Sequence, residues 1–341
     1  MIWFSGPVKR ERSYFWNSRI SQRNDVVLIV CGSAASWMVK KIVNNKGGLH
    51  NRITLKLKLK PFTLKETKEY LNSLGIYWDQ KTIAECYMSL GGIPYYLKLL
   101  DRSLSLAQNI DRLFFRESCL LEGEFNNLYS SLFRNSKDYI KIVEVLAKKK
   151  SGYTREEIIT SGGFNDGGGV TEKLEDLEQC DFIRRYKAIG EVKHTYQLFD
   201  FFTLFHFQFI RRKGGYDSDT WKGLAFERLC MSHLCQIKEG LGISGISTNS
   251  FAYYSSDMQI DLVIERGDRM INICEMKYYD GEFTLTPDYS KKLKDKVHRL
   301  KNIIKRRYSY SVVLITADGV RHNEQYYATI QKELDLDVLF R

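Results

Sequence analysis

No C-x-x-C pair occurs among the seven cysteines, which stand at positions 31, 86, 119, 180, 230, 235 and 274. An odd number without that spacing excludes a disulfide framework and a zinc knuckle, leaving small buried thiols in a reducing compartment. A run of about 18 apolar residues is missing, as is the apolar stretch of a secretion signal, so a cytoplasmic protein with no membrane partner is expected. The nearest approach, QLFDFFTLFHFQFI (197–210), is interrupted by Asp200 and His206 and reads as core. A G-x-x-x-x-G-K-[ST] loop is absent too, so nothing in the chain is expected to cradle nucleotide phosphates. Nor does an apolar strand ending in Asp-Glu precede residue 26, which removes the acids that would hold magnesium beside such a loop.

What is present is ample core material and positive charge. The 341 residues suffice for two or three domains, and 21 Tyr with 19 Phe in a 43% apolar composition exclude a disordered or fibrous chain. A net charge of +11 favours polyanionic partners such as nucleic acid, although it serves solubility equally.

The apolar run VVLIVC (26–31) predicts a strand buried on both faces, and the strict alternation of ITLKLKLK (53–60) a half-covered one. Glycine-closed helical patterns follow in LKETKEYLNSLG and KTIAECYMSLGG. Residues 137–200 read as three helices and a hairpin, with Thr154 and Glu157 in TREE forming a capping box, which is the order of a winged helix-turn-helix. The last segment reads as a helix (221–238), strands 259–265 and 270–278, a basic helix (289–307), the strand SVVLIT and a final helix.

Within that segment Glu275 and Lys277 lie two apart on one strand and therefore share a face. Asp261, on the preceding strand, joins them only if the connection at Gly267 has three residues or a bulge. A two-residue turn would send it to the opposite face. Converging carboxylates repel unless a cation lies between them, and an all-oxygen ligand set suits Mg²⁺ or Mn²⁺. A lysine at the rim can orient water or stabilise charge developing on a phosphate. Glu227 adds a third acid, on an apolar stripe with Leu224, Cys230, Met231 and Leu234, where an unpaired carboxylate is costly. The plain alternative is a set of ordinary hairpin charges, with Glu227 paired to a basic residue.

The order over residues 221–315, with Ile260–Asp261 followed by Glu275–Met276–Lys277, resembles the PD-(D/E)xK nuclease superfamily. The resemblance implies Asp261 and Glu275 as metal ligands, Lys277 as the catalytic lysine and Glu227 as the helical acid. In the preceding unit, the third helix VTEKLEDLEQ sets four acids against Lys173 and suits packing or protein contact better than groove reading. Its hairpin offers Arg184, Arg185, Lys187 and Lys193 as candidate phosphate contacts.

GSAASWMVKKIVNNKGGLHNRITLKLKLKPFTLKETKEYL (32–71) and GGIPYYL (91–97), with FERL and CEMK further on, resemble a bacterial and archaeal AAA-like ATPase family. Its members join a P-loop domain to a winged helix and a C-terminal nuclease-like domain. That likeness implies a polar sensor position at Ser33 and an arginine-finger-like position at Arg52. The expected architecture is α/β and multi-domain: a partial P-loop ATPase core (1–60), a helical lid (61–136), a winged helix (137–212) and a PD-(D/E)xK-like domain (213–341). Without its phosphate loop this is expected to be an N-terminally truncated member that does not use ATP on its own. The strand VVLIVC would then present an open edge for self-association. Two expectations stand for function. One is Mg²⁺-dependent phosphodiester hydrolysis. The other is a non-catalytic regulator that holds nucleic acid or protein through the wing and the basic residues Lys291, Lys292, Lys294, Arg299, Arg306 and Arg307.

Overall fold

The computed structural model describes residues 2–4, 23, 25, 28–30, 32, 55–187, 193–211, 219–255, 258–304 and 306–341. Ser33 and Arg52 lie outside them. The described chain is mixed α/β, with helices and several sheets. None of its helices is long and apolar enough to cross a membrane.

β1 (Ile2–Phe4) and β2 (Leu28–Val30) pair in parallel. Among the described residues β2 has no partner on its other side, and Ile29 is exposed. Residues 55–60, expected as a strand, form no ladder, and Leu55, Leu57 and Leu59 are exposed. Alternation supplies two faces, but a strand also needs a neighbour to satisfy its backbone, and no described segment offers one.

Helices α1 (Leu64–Ser73), α2 (Gln80–Leu90), α3 (Pro94–Lys98), α4 (Leu106–Phe114) and α5 (Glu124–Leu132) follow. Capping boxes at Thr63/Glu66 and Ser105/Gln108 start α1 and α4. The pair Gly91–Gly92 ends α2 for two separate reasons. Gly91 sits at φ +67°, and a Cβ on Gly92 would lie 2.1 Å from the carbonyl oxygen of Phe62. The Phe62 amide donates to the Gly92 carbonyl at 2.7 Å, tying the entry of α1 to the exit of α2.

Next come α6 (Ser136–Ala147), β3 (Tyr153–Thr154), α7 (Arg155–Gly162), α8 (Gly168–Gln179), β4 (Ile183–Tyr186) and β5 (Thr195–Leu198). The strands form one antiparallel sheet in the order β3–β5–β4. The expected capping box at Thr154 and Glu157 is present. The aromatic stretch forms α9 (Phe201–Phe205) and a π-helical turn (His206–Ile210), with Phe201, Phe202, Leu204, Phe205 and Phe209 buried. Asp200 accepts from the Thr203 amide at 2.7 Å and starts this helix, while His206 stacks on Phe125 at 4.0 Å. The two polar residues therefore interrupt the sequence without interrupting the core.

The expected helix over 221–238 is two helices, α10 (Asp219–Ser232) and α11 (Leu234–Gly240), parted at His233. That buried imidazole accepts from the Leu64 amide through Nε2 at 2.9 Å and donates from Nδ1 to the Leu229 carbonyl, fastening α10 to the start of α1. Burial, partly opposed by the Leu229 carbonyl, holds its pKa below the ordinary value, so the neutral form is the bonded one. His233→Ala is expected to cost about 1–3 kcal/mol at pH 7.5. A depressed pKa gives stability that is present above the unfolded value near 6.5 and lost as pH falls. The wild-type advantage in urea unfolding should therefore shrink on acidification.

The remaining elements are β6 (Thr248–Tyr254), β7 (Gln259–Arg266), β8 (Met270–Lys277), β9 (Phe283–Thr284), α12 (Pro287–Ile303), β10 (Ser309–Thr316), β11 (Val320–Arg321), α13 (Glu324–Tyr327) and β12 (Lys332–Leu334). In place of the expected final helix, the one-turn α13 is followed by β12 and a 3-10 turn (Leu336–Phe340). The large sheet runs β12–β10–β8–β7–β6, parallel from β12 to β8 and antiparallel beyond. The β8–α12–β10 crossover lays α12 on the face carrying Ile271 and Ile273, where Leu300 and Ile304 meet them. The opposite face, with Leu262, Ile264, Cys274 and Met276, joins the main core shared with α1–α10.

Candidate active site

The connection between β7 and β8 has three residues, 267–269, and Arg269 takes the left-handed conformation at φ +64°. Leu262 therefore faces Cys274. Just before it β7 is irregular, because Val263 pairs with Phe251 but Ile260 with Tyr253, one residue out of step. The ladder itself stops at Leu262 and Cys274. Beyond it Asp261 Oδ2 accepts from the Met276 amide at 3.1 Å, a side chain taking the place of a strand carbonyl. With alternation broken there, the Asp261 charge is felt both by Glu227 of α10 and by Glu275 of β8, and Lys150 and Lys277 ease it.

Three acids occupy this region, each nearly excluded from solvent: Glu227 at 8%, Asp261 at 5% and Glu275 at 3% exposure. Glu275 is the best supported. Its Oε2 accepts from Lys296 Nζ at 2.7 Å, and its Oε1 from Tyr289 Oη at 2.7 Å and Lys277 Nζ at 3.3 Å. Burial would raise its pKa, but Lys296 and then Lys277 more than offset this and hold it below the ordinary carboxylate range. Asp261 Oδ1 accepts from Gln259 at 3.1 Å. Burial, and then the Glu275 charge, push the Asp261 carboxyl upward. Glu227 is raised to about 7 by burial and by Asp261, against the Lys150 ammonium that pairs with its Oε1. Glu227 Oε2 is buried and has no hydrogen-bond partner.

The structure thus gathers Asp261, Glu275, Lys277 and Glu227. The three carboxylates offer only oxygen, with Glu227 Oε2 left unpartnered, a donor set that suits a hard divalent cation. Among the described residues, however, no group of three His, Cys, Asp or Glu side chains is arranged to hold a metal ion. A cation at Glu275 would have to replace the Lys296 ammonium, and one at Asp261 the Gln259 amide.

Residues absent from the sequence-level reading complete the site. Tyr289 and Lys296 are seven apart on α12, in the stripe of the buried Leu293 and Leu300, a helical signal that was available. Lys150 ends the run KKK after α6 and carried no such signal. The candidate phosphate contacts diverge. Lys187 and Lys193 are exposed, with Lys193 near Glu156 at 3.4 Å, and Arg185 pairs with Glu178 at 3.3 Å. Arg184 turns inward and donates to Gln197 at 2.6 Å. On α8, Asp176 is buried and accepts from Tyr139 at 2.7 Å, a packing role. On α12, Lys291, Lys292, Lys294 and Arg299 are exposed, whereas Arg306 and Arg307 lie beyond the end of that helix.

No family model matches this chain. It is 26% identical over 326 residues to an uncharacterized protein of Methanocaldococcus jannaschii, an alignment covering 90% of this chain and 68% of that protein. Among solved structures it is similar to a Walker-type ATPase of Pyrococcus abyssi at 20% identity and TM-score 0.38, over 56% of this chain and 54% of that one. It is also similar to restriction endonuclease FokI at 14% identity and TM-score 0.22, over 60% of this chain and 42% of the enzyme. The chain therefore spans about half the length of either.

Proposed function

We propose that residues 213–341 carry a metal-dependent phosphodiester hydrolase site, with nucleic acid as substrate. The observation that supports it is the convergence of buried acids: Asp261 is raised by the Glu275 charge and eased by Lys277, and Asp261 in turn raises Glu227. Asp261 and Glu275 would hold Mg²⁺ or Mn²⁺, which when bound polarises a phosphoryl oxygen and acidifies water. Lys277 places its ammonium at the rim, where it stabilises charge developing on the phosphate. Glu227, with a pKa near 7, is suited to exchange a proton at neutral pH. In this reading residues 137–212 are a winged helix whose Arg185, Lys187 and Lys193 meet phosphates, 61–136 are a helical lid, and 1–60 belong to an ATPase-type core.

The test is cleavage of DNA and RNA with Mg²⁺ or Mn²⁺. Activity is expected to need the metal, to stop with chelator, and to fall about 10²- to 10⁴-fold in Glu275→Ala and Lys277→Ala. Equal rates in wild type and both variants would refute the assignment.

One observation favours a second reading, a non-catalytic regulator that holds nucleic acid or protein. Lys150 and Lys296 already neutralise two of the three acids. Steeply salt-dependent binding without cleavage is its expected signature.

A further inference from the structure

We infer that Arg184 and Arg228 form a binding site for a phosphate group at the seam between the β3–β5–β4 sheet and α10. Arg228, only 2% exposed, donates from Nη2 to the Lys150 carbonyl at 2.8 Å, yet its Nε is buried with no acceptor. Arg184 spends its Nε on Gln197, and its Nη2 is likewise buried with no acceptor. Gln197 in turn donates to the Lys150 carbonyl, so one side-chain and backbone relay holds both guanidinium groups toward the same place. The two charges are close enough for Arg228 to disfavour the ionised form of Arg184.

Buried like charges with orphan N–H donors are costly, and although the Glu227 charge favours both, it accepts from neither guanidinium. Glu227 is engaged by Lys150, and among the described residues neither arginine has an ion-pair partner. Tyr186 and Phe199 face the Arg184 guanidinium at 5.3 and 5.5 Å, supplying aromatic surface but no acceptor. An oxyanion answers each deficit. It neutralises the pair, and its several oxygens accept from the planar donor fork of a guanidinium. β4 is the outer strand of its sheet and Arg184 is less buried than Arg228, so an anion would enter along that edge. The site lies beside the acid cluster, but its existence does not depend on hydrolysis.

The experiment is titration with inorganic phosphate in chelator at constant ionic strength, following heat of binding and the midpoint of thermal unfolding. Phosphate is expected to bind and to raise that midpoint. Arg184→Gln and Arg228→Gln are each expected to weaken binding about 10- to 100-fold. Arg184→Lys keeps the charge but loses the fork, and is expected to weaken it as well. It guards against a variant that fails to fold. Lys65→Gln, exposed on α1, should bind as wild type does. Absence of phosphate binding by wild type, or equal binding by the Arg184 and Arg228 variants, overturns the proposal. Competition by a short oligonucleotide but not by a nucleoside monophosphate would support it with a polymer as the source, and the reverse with a free nucleotide.

Discussion

Replacing Lys296 with methionine is expected to destabilise the folded chain by about 3–5 kcal/mol at pH 8, the range for removing one partner of a buried pair. Glu275 is 3% exposed and its charge survives burial because Lys296 and Lys277 are there. Methionine fills the space of the lysine stem without the ammonium, so desolvation then outweighs the single remaining lysine and the pKa of Glu275 rises. The sign of the pH dependence follows. In wild type a depressed carboxylate gives stability that is present above its unfolded value and lost as pH falls. In the variant the carboxyl takes up its proton as pH falls toward 5, which removes the unpaired charge, so the deficit should shrink. Urea unfolding at pH 8 and pH 5 checks this, with exposed Lys291→Met as the control expected to stay within about 0.5 kcal/mol. A deficit equal at both pH values would mean lost packing and would refute the charge argument.

Glu227→Gln is expected to do the opposite, stabilising the protein relative to wild type as pH rises. Glu227 has its pKa raised from 4.5 to about 7. Between those values the folded state holds a proton that the unfolded state has released, so wild-type stability falls with rising pH through this window. One pKa unit corresponds to about 1.4 kcal/mol, which makes the effect roughly 3 kcal/mol between pH 4.5 and 8. Glutamine keeps an oxygen for Lys150 and does not ionise. His206 and His233 have depressed pKa values and act with the opposite sign, but they are common to both proteins and cancel in the difference. Parallel stability curves for Glu227→Gln and wild type from pH 4.5 to 8 would sink the prediction.

Much of the candidate site was legible because its signals are local and periodic. Glu275 and Lys277 share a face by strand geometry, whereas the place of Asp261 depends on the three-residue turn together with an irregularity in β7 that the spacing does not reveal. Glu227 stood out as an acid on an apolar stripe. Tyr289 and Lys296 were legible in principle, since α12 repeats at 289, 293, 296 and 300. Charge alone drew attention instead to Lys291, Lys292 and Lys294, which point to solvent. Arg184 could not be placed from sequence. A hairpin arginine is equally able to face water or the neighbouring domain, and only the approach of Gln197 and Arg228 turns it inward. The strand expected over 53–60 failed where described for a related reason. Its alternation is genuine, but pairing needs a second segment, and none is described alongside residues 55–60.

The amino-acid order by itself determined the caps at Thr63, Ser105 and Thr154, the glycine stops, the aromatic core segment and the two-residue spacing of Glu275 and Lys277, because each depends on interactions within a few residues. Tertiary structure decided which cations neutralise which acids. Lys150 reaches Glu227 across 77 positions and Lys296 reaches Glu275 across 21. Those pairings set the pKa values, since burial and the distance to an opposite charge belong to the packed molecule and leave no trace in the spacing along the chain.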